Sequence, residues 1–517
     1  MLKFAGAWQT MRVRTLSDLP RQAEENFGDK VAVRVAGVSL SFREINQLVD
    51  ACAAGLMGLE LKAGDRVILH LPNSWEWVVS YYAIARLGAV NIPANILLVS
   101  EEIAFIAVDS EAAAIIAPSD RISSIQKALE PNSLIRCIGV GASIPAGVVD
   151  WSALIHGSSN SIGARVDPRA TATIAYTSGT TGRSKGAVLT HGSIVMNTAM
   201  TANMHMRTSA DIVVTGLPCA HVYGNVVMNG AFLCGYTLVL LQRFDAEEAL
   251  EAIDQYRATL FEGVPTMYNY ILGAASLPQR KLTSLTRVTV GGQTMPLPQL
   301  EATRARFGCP ILELWGMTEI AGLGTTHPLY APEKLGSIGL PLPFAQCKIA
   351  KLNNLVEEAA VGEFGELLFR GPTTMRGYYG KESETAEVLL PDGWLKTGDI
   401  AYRDVDGYLY VVDRLKEMII TAGYNIYPSE VERVLAEHPA VRLVAVGSVP
   451  HGAKGEVAHA YVVLTPNAAI KSEELDEYCR SRLAAYKVPK AFHFVRDFPK
   501  TSSGKIVRRE LWKLGQP

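Results

Sequence analysis

The chain has 517 residues, with 49 Lys and Arg against 51 Asp and Glu and a net charge of −2, so no global field recruits nucleic acid or an anionic membrane surface. That length exceeds one ordinary core and implies at least two domains. The seven cysteines (52, 137, 219, 234, 309, 347 and 479) are scattered without a CxxC pair, which argues against a disulfide framework or a zinc site and fits a reducing cytoplasm.

Residues 1–19 carry Lys3, Arg12 and Arg14 and no sustained apolar run, so no secretory signal is expected. Strand-like and helical patterns then alternate, which predicts an α/β architecture. The first units are a strand over 67–71, a helix over 75–87 and a strand over 113–117. The most apolar stretch, 78–99, is interrupted by Arg86, Asn91 and Pro93, and no integral membrane contact is expected. Strands are predicted over 171–176 and 187–189, then over 211–217, 259–263 and 287–290, with a helix over 246–255. The strand over 287–290 ends in Gly291-Gly292, and glycines after strands suit ligand approach at strand ends. Asp404-Val405-Asp406-Gly407-Tyr408 is a hairpin turn between two β-rich runs. From Pro428 onward the pattern becomes a compact α+β unit. It has a helix over 430–437, strands near 443–446 and 460–464, and a second helix with Ser472 as its N-cap.

Between the strands over 171–176 and 187–189 lies Thr177-Ser178-Gly179-Thr180-Thr181-Gly182-Arg183-Ser184-Lys185-Gly186. Glycines allow backbone N–H groups to turn toward an anion, hydroxyls donate to its oxygens, and Arg183 or Lys185 supplies charge. The loop is not a Walker A loop, because Ser184 stands five residues after Gly179 where a glycine is required. On its residues alone it is either a phosphate cradle or a flexible Ser/Gly linker.

Four further motifs follow in order: Trp315-Gly316-Met317-Thr318-Glu319, Thr397-Gly398-Asp399, Asp413-Arg414-Leu415-Lys416-Glu417 and Ser503-Gly504-Lys505. Together with the loop they resemble the adenylate-forming superfamily of acyl-CoA synthetases, acyl-adenylating domains and luciferases. The resemblance spans nearly the whole chain, from about Ala32 to Arg509. It implies a large, multi-subdomain α/β N-terminal domain over 1–414 and a small, mobile α+β C-terminal domain over 415–517. The hinge is expected near Lys416, where a charged residue absorbs the rotation between two half-reactions.

The resemblance also implies roles. Thr177, Ser178, Gly179, Thr180, Thr181 and Gly182 would hold the β- and γ-phosphates of ATP, with Lys185 assisting from the loop's end. Thr318 would contact the α-phosphate and Glu319 would take Mg²⁺, since a hard cation on phosphates prefers a carboxylate oxygen. Gly292 and Gln293, in Gly291-Gly292-Gln293-Thr294, would lie along adenine. Trp315 stands where tyrosine is more common; beside Gly316 it offers an aromatic face but no phenol hydroxyl. Asp399 would accept the ribose hydroxyls and Arg414 would complete the ribose or phosphate contacts. Lys505 would bridge the carboxylate oxygen and the α-phosphate during adenylation. Gly423 would line the pantetheine tunnel for CoA, and Arg243 would stand near the CoA nucleotide. Pro450-His451 departs from the Pro-Asp of the family pattern on the CoA side.

His221, in Pro218-Cys219-Ala220-His221-Val222-Tyr223-Gly224, resembles the histidine that gates the acyl pocket; a packed core histidine is the other reading. The segments 218–232 and 313–326 would set acyl specificity. The first contains no carboxylate for a substrate ammonium, and neither contains Arg or Lys for a second substrate carboxylate. The expected substrate is thus an apolar carboxylic acid, aliphatic of medium or long chain, or aryl. The expected reaction is AMP-forming acyl-CoA ligation. An acyl-AMP ligase serving a carrier protein and a nucleotide-binding protein without catalysis are the alternatives. A homodimer, with no nucleic-acid partner, is the expected assembly.

Overall fold

The helix Trp75–Leu87 shows how local sequence positions the layers. The Ser74 side chain caps its start by accepting from the Trp77 N–H, and Gly88, at φ 76°, ends it in the left-handed conformation that glycine tolerates. Every residue from Trp77 to Leu87 is buried, as expected for a helix apolar on all sides. Even Arg86 is fully buried, paired with Asp50 and donating to Asn46 at 2.8 Å and to the Ser17 carbonyl at 3.2 Å.

The structure is a computed structural model and describes residues 14–129, 133–156, 166–177, 184–422, 424–452, 455–466, 468–499 and 506–515. It has the mixed α/β architecture expected, with a large N-terminal domain and a small C-terminal one. Two mainly parallel sheets dominate the large domain. In the nine-stranded sheet, Ile212–Thr215, Leu260–Gly263, Arg287–Gly291 and Ile311–Met317 run parallel as neighbours. Their carboxyl ends therefore open side by side, with Gly291 opposite Leu314. Gly322–Thr326 returns antiparallel on Ile311–Met317, pairing Met317 with Gly322.

In the seven-stranded sheet, Thr171–Thr177 and Lys185–Thr190 form an antiparallel pair at one edge. The predicted strands bracket the glycine-rich loop, but both extend toward it, to Thr177 and to Lys185. The segment 375–379 then staples the two sheets. The Arg376 N–H donates to the Val188 carbonyl at 3.0 Å, the Tyr379 N–H to Gly186 at 2.8 Å, and the Met375 N–H to the Glu319 carbonyl at 2.7 Å.

A five-stranded antiparallel sheet follows, in which Leu395–Arg403 pairs with Leu409–Arg414 and places Asp399 opposite Arg414. The predicted turn joins them, with the Asp404 carboxylate accepting from the N–H groups of Asp406 and Tyr408 at 2.9 Å each. The short 3-10 turn Leu415–Glu417 leads to the small domain. That domain has its own core, which includes Ile419, Val431, Leu435, Val446, Val462 and Leu475.

Predicted boundaries hold to within three residues over most of the chain. The hairpin strands of the small domain are longer, Val441–His451 and Gly455–Leu464, because their pairing continues through polar residues to His451 opposite Gly455. Ser472 is the first residue of its helix, Ser472–Arg480, and not the cap. Lys471 holds the N-cap position because Glu474 reaches back to accept from its backbone N–H at 3.1 Å. Among the described residues no helix is long and apolar enough to cross a membrane.

Candidate active site

The best-defined part of the site is a buried acid held from two sides. Asp399 is 2% exposed and lies in mid-strand opposite Arg414. The Arg414 Nε pairs with Asp399 Oδ1 at 2.6 Å, and the Trp315 indole Nε1–H donates to Asp399 Oδ2 at 2.8 Å. Three motifs separated by up to a hundred residues thereby meet on one carboxylate. Arg414 also donates to the Thr397 carbonyl at 3.3 Å, and the Thr397 hydroxyl accepts from the Asp399 N–H at 3.1 Å. The indole supplies a donor of its own where a phenol was missing, a role the sequence did not reveal.

Glu319 lies in the one-turn 3-10 helix Thr318–Ile320, which follows Ile311–Met317 directly. It is 8% exposed, so it is not the exposed helix-start carboxylate that its sequence position alone allows. The Tyr378 hydroxyl donates to its Oε1 at 2.9 Å. No described residue donates to Oε2, which leaves a hard oxygen suited to a divalent cation. Burial and the neighbouring carboxylate push the Tyr378 hydroxyl up from its ordinary pKa, so it stays a donor at physiological pH. The Lys185 ammonium sits 5.4 Å from the centroid of the same ring. Tyr378 therefore joins Lys185, at the end of the glycine-rich loop, to the candidate metal ligand. Sequence reading missed it, and its one signal was an aromatic following Gly377 in a segment without a motif.

The glycines of the site are there for close approach. A Cβ on Gly316 would stand 2.1 Å from the Gly322 carbonyl, and one on Gly291 would stand 2.1 Å from Leu314 Cδ1. Gly292, at φ +84°, turns the chain outward at the strand end, and Gln293 beyond it is exposed. Thr318 is partly buried at the start of its turn. Ser178, Gly179, Thr180, Thr181, Gly182, Gly423 and Lys505 lie outside the described residues, while Thr177 and Lys185 form the paired ends of the hairpin. Lys416 is in the 3-10 turn Leu415–Glu417. Arg243 is exposed.

His221 is exposed and caps the helix Val222–Cys234, its Nδ1 accepting from the Tyr223 N–H at 3.3 Å. The reading as a packed core histidine is therefore set aside. Below it is a narrow crevice of about 20 Å³, whose walls include Ala175, Leu189, Ala220, Val222, Asn225 and Ala321. Such a volume holds about one water molecule. Deeper, Tyr223 is buried and shares a hydrogen bond of 2.5 Å with the Thr289 hydroxyl, which donates to Glu262 Oε2 at 3.1 Å. Glu262 and Arg207, 0% and 1% exposed, form an ion pair at 2.7 Å. The apolar segment 218–232 thus backs onto a buried charge pair, Glu262 from the strand Leu260–Gly263 and Arg207 from the loop after the helix His191–Met204.

Known proteins resemble the chain over nearly its whole length. Residues 19–379 match the AMP-binding enzyme family and residues 430–505 match the AMP-binding enzyme C-terminal domain. The chain belongs to the AMP-binding enzyme family. It is 35% identical to the long-chain-fatty-acid–CoA ligase of Bacillus subtilis (strain 168), over 96% of this chain and 94% of that one. It is also 35% identical to the feruloyl-CoA synthase of Amycolatopsis sp, over 97% of this chain and 99% of that one. Among solved structures, o-succinylbenzoate CoA synthetase from Bacillus subtilis in complex with its acyl-adenylate intermediate superposes with a TM-score of 0.84. The two share 31% identity over 96% of this chain and 97% of that one. The same synthetase in complex with ATP and magnesium ion gives a TM-score of 0.84, with 96% and 99% covered.

Proposed function

We propose that this protein is an ATP-dependent, AMP-forming acyl-CoA ligase for an apolar carboxylic acid, aliphatic of medium or long chain or aryl. The observation that carries the reading is the meeting of Trp315 and Arg414 on the buried Asp399 carboxylate, with Glu319 four residues beyond Trp315 in sequence, in a chain of this family. A carboxylate oxygen of the substrate attacks the α-phosphorus of ATP, the bond to the bridging β-oxygen breaks, and pyrophosphate leaves. The thiol of CoA, losing its proton, then attacks the acyl carbonyl carbon, and AMP leaves with the electrons of the carbon–oxygen bond.

In this reading Asp399 receives the ribose hydroxyls, Arg414 orients that carboxylate, and Gly292 and Gln293 lie along the base. Thr177 to Gly182 and Lys185 hold the leaving pyrophosphate, and Thr318 holds the α-phosphate. Mg²⁺ held at Glu319 would neutralise triphosphate charge there, and Tyr378 keeps that carboxylate in place. Lys505 stabilises the charge that builds during adenylation, and His221 faces the acyl carbonyl. Lys416 is the pivot between a domain over 1–414 and one over 415–517, and Gly423 admits the thiol. Relatives named for long-chain fatty acids and for feruloyl support an apolar acid of either class. We also infer a homodimer located in the cytoplasm, which light scattering and cell fractionation test.

Pyrophosphate release across a panel of aliphatic, aryl and amino acids tests the substrate class. Turnover on apolar acids and none on amino acids is expected. Preference for an amino acid would overturn the assignment.

A further inference from the structure

One buried carboxylate outside the roles above links the two domains. Asp413, 6% exposed, is the penultimate residue of the strand Leu409–Arg414, one residue before the arginine that pairs with Asp399. Its two oxygens hold different things. Oδ1 accepts from the Arg414 N–H at 2.8 Å, and Oδ2 accepts from the Ser429 N–H at 2.8 Å. Ser429 is in the first turn of Pro428–Ala436, the first helix of the small domain, and its hydroxyl donates to the Val412 carbonyl. Asp413 and Val412 precede Lys416 in the chain and Ser429 follows it, so a turn of the small domain about Lys416 must release both bonds.

The neighbouring charges hold one another through hydrogen bonds that do not include Asp413. Arg508 donates from Nε to Glu417 Oε2 at 2.8 Å, from Nη2 to Glu432 Oε2 at 3.0 Å and from Nη1 to the Val446 carbonyl at 3.0 Å. That cluster lies wholly beyond Lys416 and moves as one block. Burial pushes the Asp413 carboxyl up to about 6, with Arg508 pulling it back and Glu432 adding to the rise. Folding thus disfavours the charge of Asp413, whereas its two acceptor oxygens have a geometric use. An asparagine in its place has one acceptor for two N–H donors.

We propose that Asp413 is a positioning residue that couples the seat of the helix Pro428–Ala436 to the Arg414–Asp399 pair, so that nucleotide affinity depends on the small domain being docked. This rests on the reading of Asp399 and Arg414 as the ribose site and of Lys416 as the pivot. Release of Ser429 removes one of the two bonds that fix the Asp413 carboxylate, and with it the support of the Arg414 backbone.

The test is AMP binding by calorimetry, paired with thermal unfolding, for the full-length wild type and the variants Asp413→Asn, Asp413→Ala and Ser429→Ala. The dissociation constant for AMP should rise roughly three- to tenfold for both Asp413 variants, within the range of ordinary long-range couplings. It should rise by a smaller factor for Ser429→Ala, which removes only the bond to Val412. The unfolding midpoint of Asp413→Asn should stay at or above wild type, which separates positioning from a merely structural role. AMP affinity within twofold of wild type in Asp413→Asn overturns the coupling alone. Affinity and midpoint falling together in every variant also overturns it. A wild type that binds no AMP overturns the nucleotide reading and this inference with it.

Discussion

Replacing Trp315 with phenylalanine keeps an aromatic face and deletes one N–H. In the structure that N–H donates to Asp399 Oδ2 at 2.8 Å, with Trp315 7% and Asp399 2% exposed. A hydrogen bond to a buried charged group is worth about 1.5–3 kcal/mol, and little water reaches this carboxylate to replace it. The Arg414 side chain is 46% exposed, so its bond to Oδ1 is a weak restraint by itself. Without the indole donor the carboxylate can rotate toward Arg414, away from the orientation that receives a ribose. At 1.4 kcal/mol per decade, the ceiling on lost nucleotide affinity is roughly a hundredfold, and about tenfold is expected once the carboxylate relaxes. A carboxylate has about four lone-pair sites, so binding Trp315 and Arg414 does not by itself debar Asp399 from accepting a ribose hydroxyl. Isothermal calorimetry with AMP measures the effect directly. Trp315→Phe binding AMP within twofold of wild type, with an unchanged unfolding midpoint, would refute the orienting role of the indole.

Three further expectations test other parts of the molecule. Tyr378→Phe removes the donor to Glu319 Oε1 and should raise the Mg²⁺ concentration for half-maximal adenylation by roughly tenfold, read by pyrophosphate release across a magnesium titration; an unchanged curve contradicts the link. Gly316→Ala places a Cβ 2.1 Å from the Gly322 carbonyl and should cost about 1–3 kcal/mol by urea denaturation, while wild-type stability would show that the strand pair yields freely. Glu313 is 7% exposed, and burial pushes its carboxyl from 4.5 to about 8, although its Oε1 accepts from the Gly336 N–H at 2.6 Å. The folded state therefore holds this proton more tightly than the unfolded chain. Its contribution to stability is fully present below about 4.5 and is lost as pH rises through about 8. At ~1.4 kcal/mol per pH unit the window has a ceiling of ~5 kcal/mol. The stability of wild type relative to Glu313→Gln should accordingly fall between about pH 4 and about pH 9, a span of about 5 pH units inside which both values lie. Parallel curves for the two proteins would contradict the shift.

What the sequence made legible and what it hid divide along a physical line. Local rules delivered the helix Trp75–Leu87, bounded by its Ser74 cap and Gly88, the turn at Asp404 and the strands that bracket the glycine-rich loop. Ordered motifs singled out Asp399, Arg414 and Glu319, of which the fold pairs the first two. Hidden were the pairings between distant residues, which no periodicity encodes. Trp315 donates to a carboxylate 84 positions away, and Tyr378 to one 59 positions away. The segments thought to shape the acyl pocket contain no charge pair, yet Arg207, from a loop, and Glu262, from the strand Leu260–Gly263, pair behind Tyr223, which only the fold brings about. Ser472 had the right residue type for a cap, but Glu474 reached one position further back and set the boundary at Lys471. Asp413 was in view as part of a motif, and its link to Ser429 followed only from the fold.

The measurement that bears most directly on the account is product analysis by liquid chromatography and mass spectrometry after incubation with ATP, Mg²⁺, CoA and an apolar acid such as a long-chain fatty acid or a cinnamate. The account predicts acyl-CoA, AMP and pyrophosphate in equal amounts, with no ADP, and predicts that Lys505→Ala abolishes their formation from the free acid while still converting supplied acyl-AMP to acyl-CoA. Acyl-AMP that remains on the enzyme in the presence of CoA, or ADP as the nucleotide product, would contradict it.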